Sequence, residues 1–171
     1  FSLTQGHKSS NNDEEDSRTH FFSNSIIDLN FLNFDESDIE IQLQKTSNNT
    51  YLKLFDLESP LFGESGSSTV STLNSFIELN ANSEDLDFNT TLQVYEKLDS
   101  GNSDRYEFIF PSYSLNKEIK TSNALNGSLS LNSSGFQYVY NTNIKETQIV
   151  NDLLYQSNDN FLDNGVKNNY N

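Results

Sequence analysis

Residues 39–44 read Ile39-Glu40-Ile41-Gln42-Leu43-Gln44, a strict alternation of apolar and polar side chains. Side chains on a β-strand point to opposite faces in turn, so this stretch forms a ribbon with one apolar and one polar face. The same two-residue period returns in residues 86–94 and 125–131. Several such ribbons, joined by turns rich in Asn, Ser and Asp, predict an all-β fold.

The turn residues between these ribbons predict an antiparallel meander of about eight strands. Residues 1–18 are polar and acidic, and we expect them to form a loop or mobile segment ahead of one folded unit, residues 19–171. Pro111 cannot donate to a strand ladder, so it marks an edge, bend or bulge. No helix is predicted, since the β-branched residues of 147–154 favour a strand. The predicted strands cover about 19–32, 39–46, 69–81, 86–97, 104–116, 124–133 and 144–156, and an eighth begins after residue 160.

Composition limits the classes of function. Hydrophobic residues make up 33% of the chain and aromatic residues 12%, and the formal net charge is −15. The aromatic content argues against disorder, and the charge argues against a nucleic-acid partner, which would need clustered Lys and Arg. The sequence has no cysteine, which excludes a disulfide, a zinc–thiolate site and a cysteine nucleophile within this chain.

The apolar faces of these strands have two possible locations: the gap between two stacked sheets, or the lipid around a closed barrel. Membrane-spanning strands need only about 9–11 alternating residues. The first location predicts a secreted β-sandwich, such as a carbohydrate-binding or adhesion module. The second predicts part of a large outer-membrane barrel, or a complete small barrel of eight strands in which the first and last strands pair.

Several short motifs occur together in one order, and in that order they resemble the outer-membrane barrel of the lipopolysaccharide-assembly protein family, also called the organic solvent tolerance family. The resemblance covers roughly residues 20–171. The motifs are Asn48-Asn49-Thr50-Tyr51-Leu52-Lys53, Asp104-Arg105-Tyr106-Glu107-Phe108, Phe110-Pro111-Ser112-Tyr113-Ser114, Gly127-Ser128-Leu129-Ser130, Glu146-Thr147-Gln148 and Asn151-Asp152-Leu153.

The resemblance implies a fold and a function. Family members have a very large antiparallel barrel in the outer membrane of Gram-negative bacteria, plugged by an outer-membrane lipoprotein. Lipopolysaccharide arrives on a periplasmic bridge protein, leaves through a seam in the barrel and enters the outer leaflet, with no bond-breaking step. The family's periplasmic domain, its cysteines and a terminal aromatic residue are not found in this sequence. We therefore expect an internal piece of the barrel, with the seam and the bridge-binding surface outside it.

The barrel interpretation assigns each face of the ribbons to one medium. Apolar residues of the alternating segments should face lipid, and the polar residues between them should face a water-filled lumen. The predicted lipid-facing residues are Ile39, Ile41, Leu43, Leu86, Phe88, Leu92, Val94, Leu125, Leu129 and Leu131. The predicted lumen-facing residues are Glu40, Gln42, Gln44, Asp87, Asn89, Gln93, Asn126, Ser128 and Ser130.

Catalysis and cofactor binding find little support in the sequence. His7 and His20 are the only histidines, and no serine lies in a G-x-S-x-G context, so we expect no enzyme activity. The acidic clusters 13–16 and 84–87 lack the spacing of a calcium-binding loop, so we interpret them as solvated carboxylates and expect neither a metal nor a cofactor.

Three aromatic residues that follow the sixth predicted strand would share one face of a strand. Phe136, Tyr138 and Tyr140 are spaced by two, so their rings point the same way on a strand. They could form a platform on which a sugar stacks, or an aromatic belt at the membrane edge. An aromatic belt or plain packing is the interpretation that the sequence favours.

Overall fold

The computed structural model describes residues 2–10, 13–31, 33–54, 69–100, 104–121, 127–140, 143–158, 160–161 and 167–168. Within these residues the chain forms ten strands and one short helix. The strands are β1 Ser2–Ser10, β2 Asp13–Asp28, β3 Glu36–Thr46, β4 Thr72–Ser83, β5 Leu86–Lys97, β6 Tyr106–Ile119, β7 Gly127–Tyr140, β8 Lys145–Ser157, β9 Asn160–Phe161 and β10 Lys167–Asn168, and the helix is α1 Tyr51–Leu54.

Strands β1 to β8 form one eight-stranded sheet in their sequence order. Every neighbouring pair is antiparallel. The predicted all-β meander is therefore confirmed, and the sheet is open, with β1 and β8 as its two edges. Within the described residues, the remaining strands form a two-stranded hairpin of β9 and β10. Among the strands that the structure describes, this sheet has no crossover connection of the kind that a Greek-key sandwich requires.

The N-terminal segment differs from the sequence prediction. Residues 1–18 were expected to form a loop, but the structure has β1 there and the first part of β2. The two strands pair over Ser2–Phe22 to Ser10–Asp13. Backbone hydrogen bonds form a ladder whatever the side chains are, so a polar segment beside an open sheet edge can extend the sheet without an apolar pattern.

The interior strand β6 contains an irregularity at Pro111. Its register with β5 shifts between Thr91 and Gln93, and its register with β7 shifts between Ile109 and Ser112. A bulge at this point confirms the expectation for a proline that cannot donate to the ladder. The bulge also changes which residues of β6 share a face. Tyr106, Phe108 and Phe110 precede it, and the odd-numbered residues Tyr113, Leu115 and Lys117 continue the same face after it.

The registers divide the sheet into two faces. Directly paired residues of neighbouring strands share a face. Ile41 pairs with Ile77, and Ile77 pairs with Leu92; we call the face that carries them the apolar face. Gln42 and Gln93 both pair with Phe76, and we call their face the polar face.

A small buried cluster closes one end of the sheet. Tyr51 and Leu52 of α1 pack with Phe22 of β2, Leu73 of β4 and Leu98 after β5, and each of the five is at most 4% exposed. The turn into α1 is fixed by the side chain of Asn48, which accepts hydrogen bonds from the backbone N–H and the hydroxyl of Thr50, both at 2.8 Å. Residues 55–68, between α1 and β4, lie outside the described residues.

Candidate functional site

The apolar face collects the residues that the sequence predicted to face lipid. All of the predicted residues that the structure describes lie on this face. Each one pairs across the strands with another residue of the apolar face. Those residues are Ile39, Ile41, Leu43, Leu86, Phe88, Leu92, Val94, Leu129 and Leu131. Leu125 lies outside the described residues. That this face contacts lipid remains a prediction.

Large side chains on the apolar face are open to the surroundings. Leu43 is 41% exposed, Ile77 and Leu92 are each 45% exposed, and Ile149 and Leu153 on the edge strand are each 62% exposed. Exposed apolar side chains that adjoin one another, as Ile77 and Leu92 do, are typical of an interaction surface. Within the described residues no second layer of the sheet covers this face.

On β5, the apolar side chains of this face form a band of definite height. On β5 the apolar face runs from Leu86 to Val94, roughly 27 Å at ~3.4 Å per residue. A strand tilt of ~40° reduces this to about 20 Å, the same order as the ~25 Å apolar band of outer-membrane barrels. The next residue of that face, Glu96, is charged.

The polar face carries a network of cross-strand side-chain hydrogen bonds. Asn24 Nδ2 donates to Glu40 Oε1 at 3.0 Å, and Asn80 Nδ2 donates to Asp38 Oδ2 at 3.2 Å. Asn89 Nδ2 donates to Asn80 Oδ1 at 2.6 Å. Polar side chains on this face therefore satisfy one another while staying half-buried or exposed. Further bonds of this kind join Thr91 to Glu78 at 3.3 Å and Gln93 to Asn74 at 2.8 Å.

The predicted lumen-facing residues lie on the polar face. Those that the structure describes are Glu40, Gln42, Gln44, Asp87, Asn89, Gln93, Ser128 and Ser130. Asn126 is outside the described residues. The separation has exceptions, because Ile26 is 65% exposed on this face, and Val150 and Leu154 are each 48% exposed there.

A charged cluster stands where the apolar band ends. The carboxylate of Glu96 is 6% exposed and accepts a hydrogen bond from Lys45 Nζ at 2.8 Å. It also accepts from Arg105, with Nε at 2.8 Å, and from the Tyr106 hydroxyl at 3.2 Å. The two cations lie over the Tyr106 ring, with Lys45 Nζ 5.4 Å and Arg105 Cζ 5.6 Å from its centroid. The sequence did not predict this cluster, since Lys45 and Glu96 are far apart in the chain.

An aromatic ladder on the apolar face adjoins this cluster. It consists of Tyr106, Phe108 and Phe110, and we call it the Tyr106 ladder. The Tyr106 and Phe108 rings are 6.1 Å apart and stacked, and the Phe108 and Phe110 rings are 5.6 Å apart. Phe108 pairs directly with Val94, which fixes the ladder's face. Aromatic rings with a polar end at the edge of an apolar band are typical of a membrane interface.

The second aromatic ladder occupies the opposite face. Phe136, Tyr138 and Tyr140 share one face as predicted. Tyr138 pairs with Ile109, which pairs with Gln93, so the ladder lies on the polar face. An aromatic belt would need the lipid-facing side, so this placement argues against interpreting these three residues as the belt.

The candidate chemical groups show structural roles. His20 is 3% exposed, and its Nδ1 lies 3.0 Å from the Tyr51 hydroxyl. Burial raises the pKa of the Tyr51 hydroxyl.

In the 84–87 cluster, a hydrogen bond from Lys117 at 3.3 Å lowers the pKa of the Asp85 carboxyl. Among the described residues, no group of three or more His, Cys, Asp or Glu is placed to hold a metal ion. The side chains of His7 and of residues 13–16 lie outside what the structure describes.

No protein-family model, curated protein or solved structure matches this chain. A search of the described residues finds no helix with the length and apolarity needed to cross a membrane.

Proposed function

We propose that this chain is part of the wall of an outer-membrane β-barrel, with its apolar face in hydrocarbon and its polar face lining an aqueous bore. One observation carries the proposal. The sheet exposes large apolar side chains on one face, while the other face holds polar side chains that bond to one another across the strands. In water, a sheet of one layer would be destabilised by the exposure of Ile77 and Leu92.

The lengths of the strands support the proposal. Strands β2 to β8 have 11 to 16 residues, whereas strands of globular proteins most often have about 5–6. Spanning a bilayer takes about 9–11 residues of tilted strand, so each of these strands is long enough. The charged cluster and the Tyr106 ladder then lie at one edge of the bilayer.

Within this barrel, the proposed activity is the delivery of lipopolysaccharide to the outer leaflet. Support comes from the resemblance of the ordered motifs between residues 48 and 153 to the lipopolysaccharide-assembly family. The partners are lipopolysaccharide, an outer-membrane lipoprotein plug and a periplasmic bridge protein that contacts the barrel outside this segment. The activity is transport, without chemistry at a covalent bond.

The two alternative architectures need contacts that differ from this sheet. A sandwich would bury Ile77 and Leu92 under a second sheet, and both are 45% exposed. A complete small barrel would pair β1 with β8, and these strands are the opposite edges of the sheet.

Membrane insertion of two arginine variants at adjacent positions tests the facing. Leu92 lies on the apolar face and Gln93 on the polar face of β5. A charge at mid-depth on a lipid face costs about 2–4 kcal/mol. Leu92→Arg should therefore block assembly of the full chain in membranes, and Gln93→Arg should be tolerated. Equal loss of assembly in both variants would refute the assignment of the two faces.

The transport role is tested separately in cells. Depletion of the protein should lower the amount of lipopolysaccharide that a surface-labelling reagent reaches, while the lipid accumulates inside the outer membrane. Normal surface labelling after depletion would overturn the transport role and leave the barrel proposal in place.

A further inference from the structure

The aromatic ladder of β7 is an unusual feature of the polar face. The Phe136 and Tyr138 ring centroids are 4.7 Å apart at an interplanar angle of 67°, and those of Tyr138 and Tyr140 are 6.3 Å apart at 13°. Three rings in a row at every second residue cover about 13 Å of strand. We call these three residues the polar-face ladder.

Hydrogen-bonding side chains flank the polar-face ladder on the neighbouring strands. Glu107 of β6 pairs with Tyr140, and Glu146 of β8 pairs with Tyr138. Gln148 pairs with Phe136. Each ring therefore has a carboxylate or an amide beside it, within reach of a molecule that lies on the ring.

The polar-face ladder is neither a core nor a membrane belt. In the described residues, no layer covers the polar face, and the three rings remain partly exposed. The face that would meet lipid is the opposite one, and it carries the Tyr106 ladder instead. Partly exposed rings on a polar surface leave room for a ligand that has both an apolar and a polar side.

The charges around the polar-face ladder restrict the ligand. Glu107 and Glu146 contribute two carboxylates, while the Lys97 ammonium lies 4.0 Å from the Glu107 carboxylate. This balance disfavours an anionic ligand. A pyranose ring presents a face of C–H groups that packs on an aromatic ring and hydroxyls that donate to carboxylate and amide oxygens.

We infer that the polar-face ladder is a stacking track for a neutral saccharide. The inference requires only that the polar face is open to water, so it holds whether or not the sheet belongs to a membrane wall. In a barrel, the track would lie inside the bore.

Titration of the full chain with maltoheptaose tests this inference, with the chain held in micelles of a detergent that has no sugar headgroup. Tyrosine fluorescence can report binding, since the chain has no tryptophan. Tyr138→Leu removes the ring at similar volume and should weaken binding roughly tenfold, while Tyr138→Phe keeps the ring and should retain it.

The matched control removes a ring from the opposite face. Phe108→Leu removes a ring from the Tyr106 ladder and should leave the affinity for maltoheptaose unchanged. Urea unfolding of all variants checks that they fold. No binding by the unsubstituted chain, or equal weakening by Tyr138→Leu and Phe108→Leu, would overturn the inference. Neither result would affect the arginine-variant test of the membrane wall.

Discussion

Ile77 of β4 and Leu92 of β5 are direct cross-strand partners, and each leaves 45% of its surface exposed. Burying a side chain of this size contributes about 1.5–3 kcal/mol, so a sheet that leaves such pairs open forgoes much of its stabilisation in water. Hydrocarbon around this face would remove the cost. The pair therefore links the exposed apolar face to the proposed membrane location.

Gly135 is expected to tolerate no side chain. A Cβ at this position would lie 2.7 Å from Cε1 of Tyr113 and 2.8 Å from the carbonyl oxygen of Gln148. Gly135→Ala should lower the free energy of unfolding by about 1–3 kcal/mol, because the ring and the neighbouring backbone would have to shift. Urea unfolding in detergent measures the change. Ser134→Ala, on the other face at an exposed site, should stay within about 0.5 kcal/mol; an equal loss in both variants would contradict the account.

Removal of Glu96 should destabilise the end of the sheet. Its carboxylate balances two cations, and Arg105 has a side chain that is only 18% exposed. Glu96→Ala should cost about 2–3 kcal/mol, less than the ~3–5 kcal/mol of a fully buried pair, because Lys45 reaches water. Thermal unfolding of the variant measures the loss.

The control for this prediction is a carboxylate with weaker contacts. Glu107 lies 4.0 Å from Lys97, and Glu107→Ala should change stability by less than about 1 kcal/mol. An equal loss of stability in Glu107→Ala and Glu96→Ala would show that the charged cluster does not stabilise the end of the sheet as we expect.

The edge strand β8 should drive self-association in water. Ile149 and Leu153 are each 62% exposed beside an edge with no further strand among the described residues. Open apolar edges promote pairing between chains, and charges on them prevent it. The double substitution Ile149→Lys and Leu153→Lys should sharply reduce light scattering by the chain in detergent-free buffer.

The matched control adds the same charge to the same face of β8 at polar positions. Thr147→Lys with Asn151→Lys should reduce scattering much less, because the apolar side chains remain. Equal reduction by both pairs would mean that net charge, and not the apolar edge, governs association.

Much of the fold was predictable where alternation and turn residues agree. Strand β5 was predicted over about 86–97 and is found at Leu86–Lys97, because a strict two-residue period follows the turn at Glu84-Asp85. Strand β1 was missed because its residues carry no apolar period. Strand β7 extends to Tyr140, beyond the predicted 124–133, through a stretch whose Ser and Gly residues give no strand signal.

Which residues share a face was easier to predict than which side chains on different strands contact one another. Which residues share a face follows from their spacing, and the bulge at Pro111 is the one place where the count changes within β6. The Glu96 cluster and the contact of Tyr51 with His20 depend on long-range pairing of strands. Spacing along the chain holds no information on such contacts, so only the structure reveals them.

The accessibility of spin labels along β5 distinguishes a lipid-facing apolar face from one that is buried under a second sheet. The chain has no cysteine, so single cysteines at each position from 86 to 94 can carry a spin label without background. In membranes, we predict that labels at Leu86, Phe88, Leu92 and Val94 collide with lipid-soluble oxygen, while labels at Asp87, Asn89, Thr91 and Gln93 collide with a water-soluble nickel chelate. If labels on the apolar face collide with neither reagent, the face is buried, for example under a second sheet, and the proposal that it lies in lipid is wrong.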